Sequence, residues 1–166
     1  MLRLVLPRER EEIYKMEYKE WKSNLPFSTY MKECEKDDYR GERFVYINDQ
    51  GTIVSSLMLY HLHTLSKKVN FPVYGIAFVM TKPKHRNKGY AKKMIQSCIS
   101  SVQAKNNQAV FLLHSEVNPA FYESLSFRAL PYHLQQDAEY VSMMLSSDEQ
   151  FEQVTRLHSK DIPLNF

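Results

Sequence analysis

Glycine is scarce in this chain, with four residues among 166. The phosphate loops G-x-x-x-x-G-K-[ST] and G-x-G-x-x-G each need at least two glycines close together. The one basic loop, KPKHRNKGYAKK at residues 82–93, holds only Gly89, so nucleotide binding in either manner is excluded. Cysteine is also sparse. Cys34 and Cys98 form no C-x-x-C pair, so no disulfide framework or metal site is expected and a reducing compartment is. No apolar stretch is long enough to span a bilayer, and the short apolar run in MLRLVLPRER ends in charges, unlike an export signal. The expectation is a cytoplasmic protein with no membrane partner. Nor is one sign of charge in large excess: 22 Lys and Arg against 19 Asp and Glu leave +3. Such a balance favours local anion sites and argues against nucleic acid as the partner.

What remains is an ordinary domain composition, 43% hydrophobic and 25% charged. A chain of this length buries roughly 70% of the surface its unfolded form exposes, enough for a core without staples. LRLVL reads as a short strand closed by Pro7. Ile13, Met16, Tyr18 and Trp21 then recur at three- and four-residue steps, as in an amphipathic helix, and Ser28 suits the cap of a second helix over about 29–38. Two β-branched and aromatic runs flank Asn48-Asp49-Gln50-Gly51 as a hairpin. VYGIAFVMT at residues 73–81 reads as a strand covered on both faces. After the basic loop, Ala91, Met94, Ile95, Cys98, Ile99 and Val102 form one helical stripe, and AVFLLH supplies another buried strand. Strand, helix and strand make a βαβ unit with parallel strands. A short helix at NPAFYESL, a strand from about Phe127, an irregular turn and a strand at EYVSMML follow. The fold class is α/β: a single domain with a mixed central sheet, flanking helices and the βαβ unit at its centre.

The basic loop lies between a buried strand and a long helix, where free backbone N–H groups and the helix dipole collect anions. On charge alone, a solvated surface run explains the lysines equally well. The pattern adds to charge. Arg86-Asn87-Lys88-Gly89-Tyr90-Ala91 resembles the R/Q-x-x-G-x-G/A signature of the GNAT superfamily of N-acetyltransferases, and the element order resembles that family across roughly residues 1–145. SEVNPAFYESLSF at residues 115–127 is similar to a second family segment, with Asn118, Tyr122 and Phe127 in register.

The resemblance implies a function: acetyl-CoA-dependent N-acetyl transfer to a primary amine, by direct attack in a ternary complex and without a metal. It implies that the backbone of Arg86, Asn87, Lys88, Gly89, Tyr90 and Ala91 surrounds the pyrophosphate. It also implies that the main chain of Val79, Met80 and Thr81 pairs with the pantetheine arm. Asn118 becomes a further cofactor contact, although Asn before Pro119 is also what a capped helix start looks like. Tyr122 becomes the general acid that protonates the CoA thiolate; packing through its ring is the plainer reading of its spacing alone. A lysine-type amine has a pKa near about 10.4, so a base or water relay must take its proton. Glu116, His114, His61 and His63 are the candidates, with Glu116 carried forward.

The sequence departs from the family at Ser126, where glycine is usual and a left-handed serine would cost on the order of 1 kcal/mol. Residues 146–166 extend past the family core; Ser147 and Gln150 suit a capping box, and Phe151, Val154 and Leu157 an apolar stripe. The extension is expected to pack on the domain or on a partner. A catalytically inactive acyl-CoA-binding or sensing module is the alternative function. The acceptor groove is expected from the early helices and the SSLMLYHL strand, with acceptor identity and oligomeric state open, a homodimer included.

Overall fold

The computed structural model describes residues 1–21, 24–116, 119–164 and 166. Its strands are β1 Leu2–Leu4, β2 Gly41–Ile47, β3 Ile53–His63, β4 Val73–Thr81, β5 Val110–Ser115, β6 Arg128–Ala129 and β7 Val141–Leu145. Its helices are α1 Arg10–Glu20, α2 Phe27–Arg40, α3 Tyr90–Gln103, α4 Pro119–Glu123 and α5 Asp148–Thr155. The strands form one mixed sheet in the order β1-β2-β3-β4-β5-β7-β6. The chain divides into two compact units, residues 1–59 with 78–98 and residues 60–77 with 99–166.

In the first unit, β1 pairs antiparallel with β2, Leu2 opposite Tyr46 and Leu4 opposite Phe44. Ile13 of α1 packs with Val45 and Ile53, and Val5, Met16 and Ile47 close around them. The helical period also buries Tyr14 and Glu17. Glu17 meets Arg43 of β2 in a salt bridge, and both side chains are almost wholly buried. Arg43 Nε also donates to Asp38 Oδ1 at 2.7 Å, Tyr14 Oη donates to Asp38 Oδ2 at 2.6 Å, and Arg10 pairs with Asp38 at 3.3 Å. This buried ionic cluster ties both helices to the sheet. Burial pushes the Glu17 carboxyl up to about 7, against the opposing pull of Arg43.

The second helix starts two residues earlier than the sequence suggests. Pro26 O accepts from both Thr29 N and Tyr30 N, at 2.9 and 3.0 Å, so Pro26 occupies the cap position. Ser28 lies inside the first turn and caps nothing; proline, with φ already fixed, opens the helix through its carbonyl.

In the second unit the βαβ expectation holds, because β4 and β5 are parallel with Val73 opposite Val110 and Gly75 opposite Leu112. On its other edge β5 pairs antiparallel with β7, from Phe111 opposite Leu145 to Ser115 opposite Val141. The strand expected from Phe127 is only two residues long, and Pro131 lies just beyond it. Ser147 and Gln150 form the capping box of α5: Gln150 N donates to Ser147 Oγ and Ser147 N to Gln150 Oε1. Val154, Leu157 and Ile162 join Val73, Leu112 and Met144 in one apolar cluster, so residues beyond 146 contribute directly to this core. Phe166 lies against Gly75, where a Cβ would come 2.4 Å from its ring. The absence of a side chain at Gly75 therefore makes room for the tail.

Candidate active site

In the first unit the end of β4 is held firmly to its surroundings. Thr81 Oγ1 bonds Ser55 Oγ at 2.8 Å, and Lys82 N donates to Val54 O at 2.9 Å. Pro83 breaks the strand into a single 3-10 turn, Pro83–His85. Asn87 (φ 59°) and Gly89 (φ 75°) then adopt left-handed backbone, and Lys93 N donates to Gly89 O as α3 starts. Nothing would lie within 4 Å of a Cβ on Gly89, so its role is conformational. Alternating backbone of this kind turns successive N–H groups toward one side, and the amides ahead of Lys93 precede the first intrahelical bond. The exposed Arg86 side chain is tethered: Nε donates to Thr81 O at 3.1 Å and Nη2 to Glu20 at 2.5 Å. Lys82 likewise pairs with Glu12, at 2.5 Å. The loop is thus braced against α1 while residues 86–89 stay exposed.

Phe78 carries a signal no sequence pattern revealed. Its φ of 50° lies inside a strand, a costly conformation for a bulky residue. Trp21 meets its ring edge-on at 5.8 Å between centroids, and the Arg43 guanidinium lies 5.9 Å from the ring centre. These contacts hold the distortion just ahead of Val79.

In the second unit, the β4–β5 ladder ends at Gly75 and Leu112, although β5 continues to Ser115. Beyond it β5 continues its ladder with β7, from Leu113 opposite Met143 to Ser115 opposite Val141. Tyr122 lies on α4, its ring packed edge-to-face on Phe127 and Phe121. Its carbonyl accepts from Leu125 N and Phe127 N, while among the described residues nothing bonds its hydroxyl. Burial pushes the phenol up to about 12, so it keeps its proton at neutral pH. Ser126 ends this turn at φ 68°, so the left-handed conformation is kept although serine stands where glycine is usual.

Glu116 follows β5 and lines a cavity of about 300 Å³ with His114, Asp137, Tyr140, Ser142 and Leu164. Tyr140 shares this lining, and the nearby Glu116 carboxylate leads the causes that raise its phenol pKa. His114 is fully engaged. Its Nε2 lies 2.7 Å from Pro163 O, a pure acceptor, so Nε2 carries the hydrogen and Nδ1 accepts from Ser142 Oγ at 2.9 Å. Burial lowers its pKa, which keeps the ring neutral, and both nitrogens have partners. A histidine so committed is a poor base. His61 stacks on Tyr74 at 4.8 Å and touches His63, and both histidines are exposed.

A family model described as an acetyltransferase (GNAT) domain matches residues 3–129. The chain belongs to the GNAT acetyltransferase family. Solved structures share the fold. The Escherichia coli GNAT-family N-acetyltransferase YhbS, in complex with CoA, has a TM-score of 0.68 at 14% identity, covering 91% of this chain and 83% of that one. Spermidine N-acetyltransferase from Vibrio cholerae, in complex with CoA and spermine, also scores 0.68, at 16% identity, covering 92% and 97%. A probable N-acyltransferase from Enterococcus faecalis scores 0.67 at 17% identity, covering 78% of this chain but only 32% of that protein. No protein of curated function matches the sequence significantly.

In this GNAT chain the anticipated residues fall into two groups. Val79, Met80, Thr81 and Arg86 through Ala91 belong to the first unit, and Tyr122 and Glu116 to the second. Asn118 lies outside the described residues. Sequence reasoning missed Phe78, the Arg86–Glu20 brace and the share of Asp137 and Tyr140 in the Glu116 cavity. The first needed a backbone angle, and the others join residues distant in sequence.

Proposed function

We propose that the protein is an acetyl-CoA-dependent N-acetyltransferase that transfers the acetyl group to a primary amine by direct attack in a ternary complex. The observation that carries this reading is the left-handed turn at Asn87 and Gly89 opening α3, within a chain matched to the family over residues 3–129. Acetyl-CoA fits the groups on display. The amides of residues 86–91 suit a pyrophosphate, and the main chain of residues 79–81 suits the amide-bearing pantetheine arm. The family's Asn contact maps to Asn118.

In this reading Glu116 takes a proton from the substrate ammonium, directly or through water, and so frees the lone pair of the amine for attack. The amine nitrogen bonds the acyl carbon, the carbon–sulfur bond breaks, the Tyr122 hydroxyl gives its proton to the departing sulfur, and the second proton shed by the new amide nitrogen returns to the Tyr122 phenolate through water. A phenol held near 12 is protonated before the step and a competent donor to a forming thiolate. The cytoplasm is the compartment we assign; Cys34 and Cys98 are both buried and neither forms a disulfide, and burial pushes each thiol up to about 12. Among the described residues, no helix is long and apolar enough to cross a membrane.

The test pairs calorimetric binding of acetyl-CoA with release of CoA thiol across an amine panel. Tyr122→Phe is expected to bind acetyl-CoA as the wild type does and to turn over about 10²- to 10⁴-fold more slowly, the usual worth of a positioned acid. Full activity of that variant across pH would remove Tyr122 from the mechanism. Binding without thiol release from any amine would instead favour an acyl-CoA-sensing module.

A further inference from the structure

The first unit buries more charge around β2 than joining two helices to a sheet requires. Arg43 is 3% exposed, and two helices grip its guanidinium: Nη1 donates to Glu17 of α1, and Nε donates to Asp38 of α2 at 2.7 Å. Asp38 is itself held by Tyr14 and Arg10. Apolar side chains of similar volume commonly join such elements as well, because the attraction within a buried ion pair seldom exceeds its desolvation cost. What arginine adds is a flat cation at a fixed angle. Its Nη2 has no hydrogen-bond partner among the described residues, and its Cζ lies 5.3 Å from the Tyr14 ring centre and 5.9 Å from that of Phe78. Both distances fall within cation–π range.

Phe78 is the residue of β4 that needs holding. A φ of 50° on a bulky residue is strained, and it persists only where the surroundings over-determine it. Arg43 and the edge-on Trp21, 5.8 Å between centroids, supply those surroundings. The strand is fixed again at its end, by the bonds of Thr81 Oγ1 to Ser55 Oγ and of Lys82 N to Val54 O. Residues 79–81 lie between these two fixed points. A left-handed residue inside a strand re-aims the peptide groups that follow it, so the angle at Phe78 sets where the N–H and C=O groups of this segment point.

We propose that Arg43 is a positioning residue: locked by Glu17 and Asp38, it holds the Phe78 ring and so keeps the main chain of residues 79–81 aimed at the pantetheine arm of acetyl-CoA. The assignment rests on the acetyltransferase reading above and deepens it. Neither side chain touches the reacting atoms; both act through the direction of the backbone.

The experiment turns on three substitutions at Phe78, a partly exposed position, with acetyl-CoA affinity read by calorimetry and folding by thermal melting. Phe78→Leu keeps an apolar side chain but loses the ring, so the strained angle has no anchor and acetyl-CoA should bind about 10-fold more weakly. Phe78→Gly removes still more of the side chain, yet glycine adopts a left-handed φ without strain. Its affinity should lie between those of the wild type and Phe78→Leu. Packing alone predicts the opposite order, with the larger truncation binding worse. Phe78→Tyr keeps the ring and should recover most of the wild-type affinity. Arg43→Lys leaves a cation for both acids but no flat guanidinium; it should weaken binding in the wild-type background and change it little in Phe78→Gly, where no ring is left to hold. Phe78→Gly binding no better than Phe78→Leu, or Arg43→Lys weakening both backgrounds equally, would overturn the assignment while leaving acetyl transfer intact. If Arg43→Lys does not fold, the Phe78 series decides alone. Binding without transfer to any amine removes the transfer reading only, and the order of the Phe78 variants still decides. A wild type that does not bind acetyl-CoA removes both.

Discussion

Glu17 makes a buried ion pair whose sign can be measured. Its side chain is wholly buried, one oxygen accepts from Arg43, and the other, Oε2, has no hydrogen-bond partner among the described residues. Arg43 is shared with Asp38, so its attraction for Glu17 does not outweigh the cost of desolvation, and the carboxyl rises from 4.5 to about 7. A carboxyl raised on folding contributes stability that is complete below its unfolded value. That contribution is lost as pH climbs through its folded value. Between about pH 5 and about pH 8 the loss comes to roughly 2–3 kcal/mol, at about 1.36 kcal/mol for each tenfold change in protonation. Glu17→Gln keeps the shape and the bond to Arg43 but cannot ionise. Denaturant unfolding of both proteins across that range should show the variant nearly matched to the wild type at the acid end and more stable by roughly 2–3 kcal/mol at the alkaline end. Comparing the two cancels other titrating groups. A flat difference, or a variant that loses ground as pH rises, would mean that Glu17 stays ionised on Arg43 and that the attraction wins.

Gly89→Ala should cost about 1 kcal/mol from the left-handed backbone alone, a melting shift of roughly 2–4 °C, because there is space for the methyl. Its larger effect should be weaker acetyl-CoA binding by calorimetry, and unchanged affinity would argue against a turn-dependent cradle. Ser126→Gly relieves the same kind of strain at an exposed turn and should stabilise by about 0.5 kcal/mol after the added unfolded-state entropy, read by thermal melting. Gly75→Ala drives a Cβ into the Phe166 ring and should destabilise by about 1–3 kcal/mol. Adding Phe166→Ala should return part of that loss, and strict additivity in the double variant would deny the contact.

Most of the strand and helix order was legible in the chain because its signals are local. The apolar run Val73–Thr81, the hairpin around Asn48–Gly51, the stripe from Ala91 through Val102 and the Ser147/Gln150 box all became the elements their patterns describe. Gly89 was readable for the same reason, since a short motif calls for a tight turn there, whereas Ser126 keeps the left-handed turn although serine stands where glycine is usual. The second helix shows where local reading fails, since Ser28 and Pro26 both mark helix starts and only the observed bonds to the Pro26 carbonyl choose between them.

Sequence alone determined the α/β plan, the family resemblance and the place of the basic loop between a strand and a helix, because periodicity and motif spacing are properties of neighbouring residues. Tertiary structure decided what depends on distant residues meeting. It removed His114 from the list of free bases by engaging both ring nitrogens with Ser142 and Pro163. It buried Glu17 beside an arginine 26 positions away, and it set Asp137 and Glu116 around one cavity. Charge, burial and hydrogen-bond commitment decide which group can move a proton or hold a cation, and all three are settled by three-dimensional surroundings.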